Sequence, residues 1–158
     1  MKYNVSIFLT PIGFVKTSTL PGHVKKRQHI SEIVLRPDLT PALNGLDEFS
    51  HIFVIYWLHE VSAQQRCILK VHPRGRRELP LLGVFATRTS LRPNPIGLTI
   101  TELMGIERNV VTVRGLDAYD GTPVLDLKPV DCWDTDLKLQ VPNWWIQLEH
   151  GNIRMHEN

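Results

Sequence analysis

The stretch His51-Ile-Phe-Val-Ile-Tyr-Trp-Leu58 decides how this chain folds. Residues 52–58 are an unbroken apolar run, far too short to cross a membrane as a helix, and they are rich in β-branched and aromatic side chains. A run that is apolar on both alternating faces predicts a central strand buried on both sides. Working outward, shorter runs of the same kind recur between Gly, Pro, Asn and Asp. They lie at 5–9 continuing toward 15, 30–35, 67–72, 83–87, 97–105 and 110–114, with 124–128 as a possible eighth strand. So many short strands need their edges removed, and closure does this, so the expected fold is mainly β, a single β-barrel with short helices. Thr40-Pro41 reads as a cap and first helical position for one or two turns. Asn143 reads as the cap of a helix over 144–150 that Gly151 stops. Residues 1–140 are thus expected to form the barrel domain and 141–158 a short helix and tail.

Length and composition fit that expectation. With 158 residues, 18 Lys plus Arg and 16 Asp plus Glu, the chain has the ordinary balance of one globular domain with enough length for a single core. Cys67 and Cys132 are far apart, with neither a disulfide framework nor zinc-ligand spacing, and the N-terminal residues lack a secretory pattern. A cytoplasmic setting is expected. No HExxH, GxGxxG or Walker pattern is present, so metal, Rossmann and P-loop chemistry have no support.

The net charge of +2 conceals an asymmetry. Residues 61–101 carry Arg66, Lys70, Arg74, Arg76, Arg77, Arg88 and Arg92 against Glu78 alone, a local +6. Such a segment is either a solvated basic loop or a focused field for an anionic partner.

Three segments carry the candidate chemistry. In GVFATRTSLRPNPIGLT (83–99), Pro93 and Pro95 stiffen a loop on which Arg88 and Arg92 sit four apart. Both are suited to a carboxylate or phosphate, and Asn94 between the prolines is left free to read a polar edge. In LDAYDGTPVLDLKP (116–129), Asp120-Gly121 marks a turn and Asp117, Asp120 and Asp126 offer carboxylates. Strand alternation puts Val124, Asp126 and Lys128 on one face, where Asp126 is either a proton acceptor or half of an exposed ion pair. Asp117 and Asp120 are equally readable as turn caps. Finally, His59-Glu60 ends the central run, a place where burial in a cleft would tune both groups.

These segments, together with KRQ (26–28), YWLHE (56–60) and HPRGR (72–76), resemble the TrmO family, also called TsaA-like or VirR-like, in the same order across residues 5–130. The resemblance implies a β-barrel methyltransferase, a homodimer and S-adenosylmethionine bound without a Rossmann domain. It also implies tRNA as substrate, with methylation of N6 of N6-threonylcarbamoyladenosine at position 37 of threonine tRNA. By that likeness the cofactor is held by Arg27, Gln28, His59, Glu60, Arg88, Leu98, Tyr119, Asp120, Gly121 and Thr122. Asp120 or Asp126, with His59 as runner-up, would accept the N6 proton. Arg66, Arg74, Arg76, Arg77, Arg92 and Asn94 would meet RNA. Longer bacterial members carry a further C-terminal domain. Trp133, Trp144 and Trp145 lie beyond the likeness and are expected to pack in the core or against a dimer partner rather than to stack on bases. The alternatives are an S-adenosylmethionine-dependent enzyme for a small molecule or another RNA, and a non-catalytic module that binds the cofactor or RNA.

Overall fold

The inward face of each strand is set by alternation of apolar and polar residues, and six strands here turn that face toward one axis. The computed structural model describes residues 6–20, 28–146 and 148. Its strands are β1 Gly13–Lys16, β2 Ile30–Leu35, β3 His51–Trp57, β4 Lys70–Val71, β5 Leu82–Gly83, β6 Ile96–Glu107, β7 Val110–Arg114 and β8 Pro123–Pro129. Six of them close a barrel in the order β1-β2-β7-β6-β3-β8, with β1 pairing back onto β8, and β4 and β5 form a separate two-stranded pair. Every pairing is antiparallel. Val15, Ile33, Leu35, Ile52, Val54, Val111, Val113 and Val124 fill the interior. Six strands enclose a space that side chains alone fill, so ligand chemistry belongs to the loops.

Several expectations are corrected. The central strand is fully buried on one face only. Ile52, Val54 and Tyr56 point into the barrel, whereas Phe53, Ile55 and Trp57 are half-buried on its outer face, because a closed barrel has a single interior layer. Residues 6–9 form no strand, so the first strand begins only at Gly13, and residue 5 lies outside the described residues. The run expected at 67–72 shrinks to Lys70–Val71, because the helix α1, Ala63–Arg66, precedes it and Pro73 follows it. Of the run at 83–87 only Gly83 is paired, and Val84–Ala86 turn as a 3₁₀ helix. Near Thr40 the turn begins earlier than expected, at Pro37, with Pro41 inside a 3₁₀ helix where no i→i−4 bond is lost. At the C-terminal end Pro142, not Asn143, accepts the first helical bonds, from Trp145 and Ile146. Gly151 lies outside the described residues.

β8 contains the most consequential departure. Ile55 pairs with Asp126 but Tyr56 pairs with Val124, so one extra residue bulges from β8. That shift breaks the simple alternation. Val124 is buried inside, while Asp126 and Lys128 pair with the outward-facing Ile55 and Phe53 and join in an ion pair of 2.8 Å.

Antiparallel order also sorts the connections. β1–β2, β3–β6 and β7–β8 are joined at one end of the barrel, and β2–β3 and β6–β7 at the other. Residues 17–20 and 28–29, 58–95 and 115–122 therefore lie at the first end.

Candidate functional site

The three converging connections carry nearly all the candidate residues, and named hydrogen bonds lock two of them to the strands. His29 ties the first to the third. Its backbone carbonyl accepts from Gly115 N–H at 2.9 Å, and its Nε2 lies 2.8 Å from the Leu116 carbonyl. Gln28, exposed beside it, is thereby held next to the 115–122 connection. His29 Nδ1 is buried and has no partner.

The turn from Tyr119 to Thr122 is fastened twice to β1 and once to Thr17, the residue after it. Gly121 N–H donates to Val15 O at 2.8 Å, Val15 N–H donates to Thr122 O at 2.9 Å, and Thr17 N–H donates to Asp120 Oδ1 at 2.9 Å. Gly121 has φ 71°, which suits glycine at this tight corner. The Asp120 carboxylate thus ties its turn to a distant segment instead of capping the turn's own backbone, and its second oxygen has no partner among the described residues. Asp117 contributes its backbone: Tyr56 OH donates to the Asp117 carbonyl at 2.6 Å and lies 3.0 Å from Thr99 Oγ1. The Tyr56 ring lies against Gly97, its register partner, where any Cβ would run into the ring.

The second connection begins at the rim. Leu58 N–H donates to Pro95 O at 2.7 Å, which brings His59 and Glu60 beside the double-proline loop. Both are exposed, so the burial expected for them is absent: β3 ends at Trp57 and the chain turns outward over solvent. His59 makes no hydrogen bond within the described residues. Arg88 Nη2 donates to the Leu98 carbonyl at 3.2 Å, joining two of the expected cofactor residues, and the Leu98 side chain is 48% exposed on the outer face.

The basic segment divides into anchored and free cations. Arg92 Nη1 donates to the carbonyls of Val84 (3.2 Å) and Thr87 (3.0 Å), and its guanidinium lies 5.7 Å from the Phe85 ring centroid. Arg66 lies 5.1 Å over Trp57 and donates to Val61 O. These two, expected on RNA, are occupied in holding the loop. Arg76 pairs with Glu78 at 2.6 Å, and the Glu78 carboxyl is held below its usual range by its own backbone N–H and by Arg76. Arg74 and Arg77 are exposed and have no partner among the described residues, and the same holds for the Asn94 side chain. Arg27 lies outside the described residues.

Asp126, like Leu98, lies in a strand outside the three connections, and the two flank Ile55 on one outward rung. Asp126 sits within β8, its Oδ1 accepting from Leu127 N–H at 2.9 Å and its Oδ2 facing Lys128. Sequence reasoning missed Tyr56, Gly97 and His29 as the residues that hold the loops. It also missed α1, although Ser62-x-x-Gln65 is a readable capping box whose two reciprocal bonds are formed.

Residues 13–134 match the family described as tRNA-methyltransferase O N-terminal domain. An S-adenosyl-L-methionine-binding protein of Archaeoglobus fulgidus is 38% identical over 135 residues, covering 80% of this chain and 94% of that protein. A protein of Methanothermobacter thermautotrophicus named "Probable S-adenosyl-L-methionine-binding protein" is 43% identical over 131 residues, 80% of this chain and 91% of its own. A crystal structure of TrmO superposes with TM-score 0.71 at 28% identity over 89% of this chain, and TrmO from Pseudomonas aeruginosa with 0.67 at 27% over 88%. This chain spans 64% and 62% of those two solved chains.

Proposed function

Because the chain belongs to the tRNA-methyltransferase O N-terminal domain family, we propose that it is an S-adenosylmethionine-dependent tRNA methyltransferase. Its target in this proposal is N6 of N6-threonylcarbamoyladenosine at position 37 of threonine tRNA, and it works as a cytoplasmic homodimer. The observation that carries the proposal is the convergence of three connections at one barrel end, all within the matched residues.

The donor set at that end fits the cofactor's chemistry. A carboxylate calls for a guanidinium, which Arg88 supplies, and an ammonium and ribose hydroxyls call for acceptors, which Glu60 and the free Asp120 oxygen supply. Gln28 offers an amide beside the buried, unpartnered His29 Nδ1. Leu98, Tyr119, Gly121 and Thr122, together with Arg27, are the further proposed cofactor contacts. When bound, S-adenosylmethionine supplies an electrophilic methyl group on a sulfonium.

The protein's work is then alignment and proton removal. The target N6 bears one hydrogen between the purine and a carbamoyl group, so a positioned base assists its loss as nitrogen takes the methyl. Of the three candidate acceptors, His59 has the fewest competing bonds. Asp120 already receives Thr17 N–H, and Asp126 is held by Lys128 and Leu127 N–H. His59 is therefore the proposed base, with Asp120 serving chiefly to set the turn. Arg74 and Arg77, exposed and unpaired among the described residues, are the proposed phosphate contacts, with Arg76 available when its pair with Glu78 opens.

A second reading, a cofactor-binding module without catalysis, is favoured by the engagement of both aspartates. The two are separated by transfer of labelled methyl groups to tRNA pools with and without threonylcarbamoylation, the nucleosides being identified by mass spectrometry. Label confined to the modified pool, as the N6-methylated nucleoside, supports the methyltransferase. Cofactor binding with no label in either pool overturns it.

A further inference from the structure

The β3–β6 connection and the segment that follows β8 meet across a cleft of about 450 Å³. One wall is Phe85, Thr87 and Arg88, and the other is Pro142, Trp144 and Trp145. The two indoles touch edge to face, with centroids 5.6 Å apart and planes at 73°, so each braces the other. Arg88 spends one N–H on the Leu98 carbonyl, and a guanidinium has five. The cleft is therefore apolar and aromatic with a cation in its wall. Its volume lies in the range that holds small organic ligands.

We propose that this cleft receives an unpaired nucleobase of the RNA substrate, stacked on the Trp144–Trp145 pair, with the adjoining phosphates drawn to Arg88 and the basic run. The inference rests on the tRNA reading and deepens it. Three observations select this occupant. The aromatic wall stands outside residues 13–134, whereas every residue assigned to the cofactor lies inside them, so the wall is not needed to hold the cofactor. The opposite wall belongs to the connection that carries Arg74, Arg76 and Arg77, which matches a polyanion more than a neutral apolar ligand. An aromatic surface beside cations is the arrangement that grips single strands, since an unpaired base exposes its face and a paired one does not. Arg88 belongs to both sets, so base and cofactor would be neighbours. Such stacking tolerates any base, so the cleft confers grip on a flexible loop and leaves the choice of sequence to other contacts. The expectation that these tryptophans serve only packing is thereby set against a more specific role.

The test uses the full chain and two RNAs of equal length and charge, a hairpin with an anticodon-like loop and a fully paired duplex. Trp144→Ala and Trp145→Ala are expected to weaken hairpin binding about tenfold or more. Duplex binding and S-adenosylmethionine affinity stay unchanged, and Trp144→Phe and Trp145→Phe restore most of the loss. Retained cofactor affinity and an unchanged circular-dichroism melt report that the variants fold. Equal losses on hairpin and duplex, or no loss on either, overturn the cleft while the wild-type enzyme still methylates tRNA. Loss of cofactor affinity with RNA binding intact overturns it in favour of a cofactor wall. Failure of the wild-type chain to bind either RNA removes the tRNA reading itself, and this inference with it.

Discussion

At the scale of single residues, the loops are held by groups whose importance lies in what they touch. Tyr56 is buried, and its hydroxyl satisfies the Asp117 carbonyl at the base of the 115–122 connection. Tyr56→Phe keeps the ring over Gly97 and leaves that carbonyl without its donor, so urea denaturation is expected to show a loss of about 1–3 kcal/mol. A midpoint equal to wild type would show that water replaces the bond fully. His59 is the converse case, exposed and without a partner among the described residues. If it takes the N6 proton, His59→Gln lowers kcat by about 10²–10⁴-fold at saturating cofactor and leaves the melting curve in place. Undiminished turnover would pass the role to Asp120. Sequence reading named His59 because it follows the central run. It missed Tyr56, because a tyrosine within an apolar strand shows no sign of which carbonyl its hydroxyl will meet.

At the scale of elements, the basic segment illustrates how like residues take unlike tasks. Arg92 and Arg66 are spent on carbonyls and rings, whereas Arg74 and Arg77 point to solvent. Removing Arg92 is thus expected to loosen the 84–87 turn, read as faster backbone amide exchange there, with the salt dependence of tRNA binding little changed. Arg74→Ala and Arg77→Ala should each reduce the slope of log K against log salt by about one and leave stability within about 0.5 kcal/mol of wild type. If Arg92→Ala flattens the slope as they do, the division between anchored and free cations is wrong. The bulge in β8 belongs at this scale too. Alternation placed Val124 and Asp126 on one face, and one inserted residue puts them on opposite faces. No composition signal marks that insertion, since Val-Leu-Asp-Leu alternates well by itself. The capping box at Ser62 was legible and would have found α1. The strands at 83–87 and 67–72 were over-read because β-branched residues also suit the irregular backbone between prolines and turns.

At the scale of the whole molecule, closing the barrel leaves an apolar ladder on its outside. Trp57–Ile96, Ile55–Leu98 and Phe53–Ile100 are cross-strand pairs on β3 and β6, and Ile96, Leu98 and Ile100 are 40–48% exposed. A face of this kind is where the proposed second copy would bury apolar area. If the chain is a homodimer, Ile100→Lys, which leaves the interior untouched, is expected to yield a monomer in sedimentation velocity where the wild type sediments as a dimer. An unchanged sedimentation coefficient would move the interface elsewhere. Sequence by itself determined the mainly β class, most strand positions, the basic segment and the family, because these follow from periodicity and from residue types at fixed spacing. It placed the candidate residues in three separate segments. Only the tertiary structure decided that those segments share one end of a barrel, which arginines remain free, and that β3 is fully buried on one face only. Those outcomes depend on strand pairing and register, which are set by contacts between residues distant in sequence and so leave no local mark.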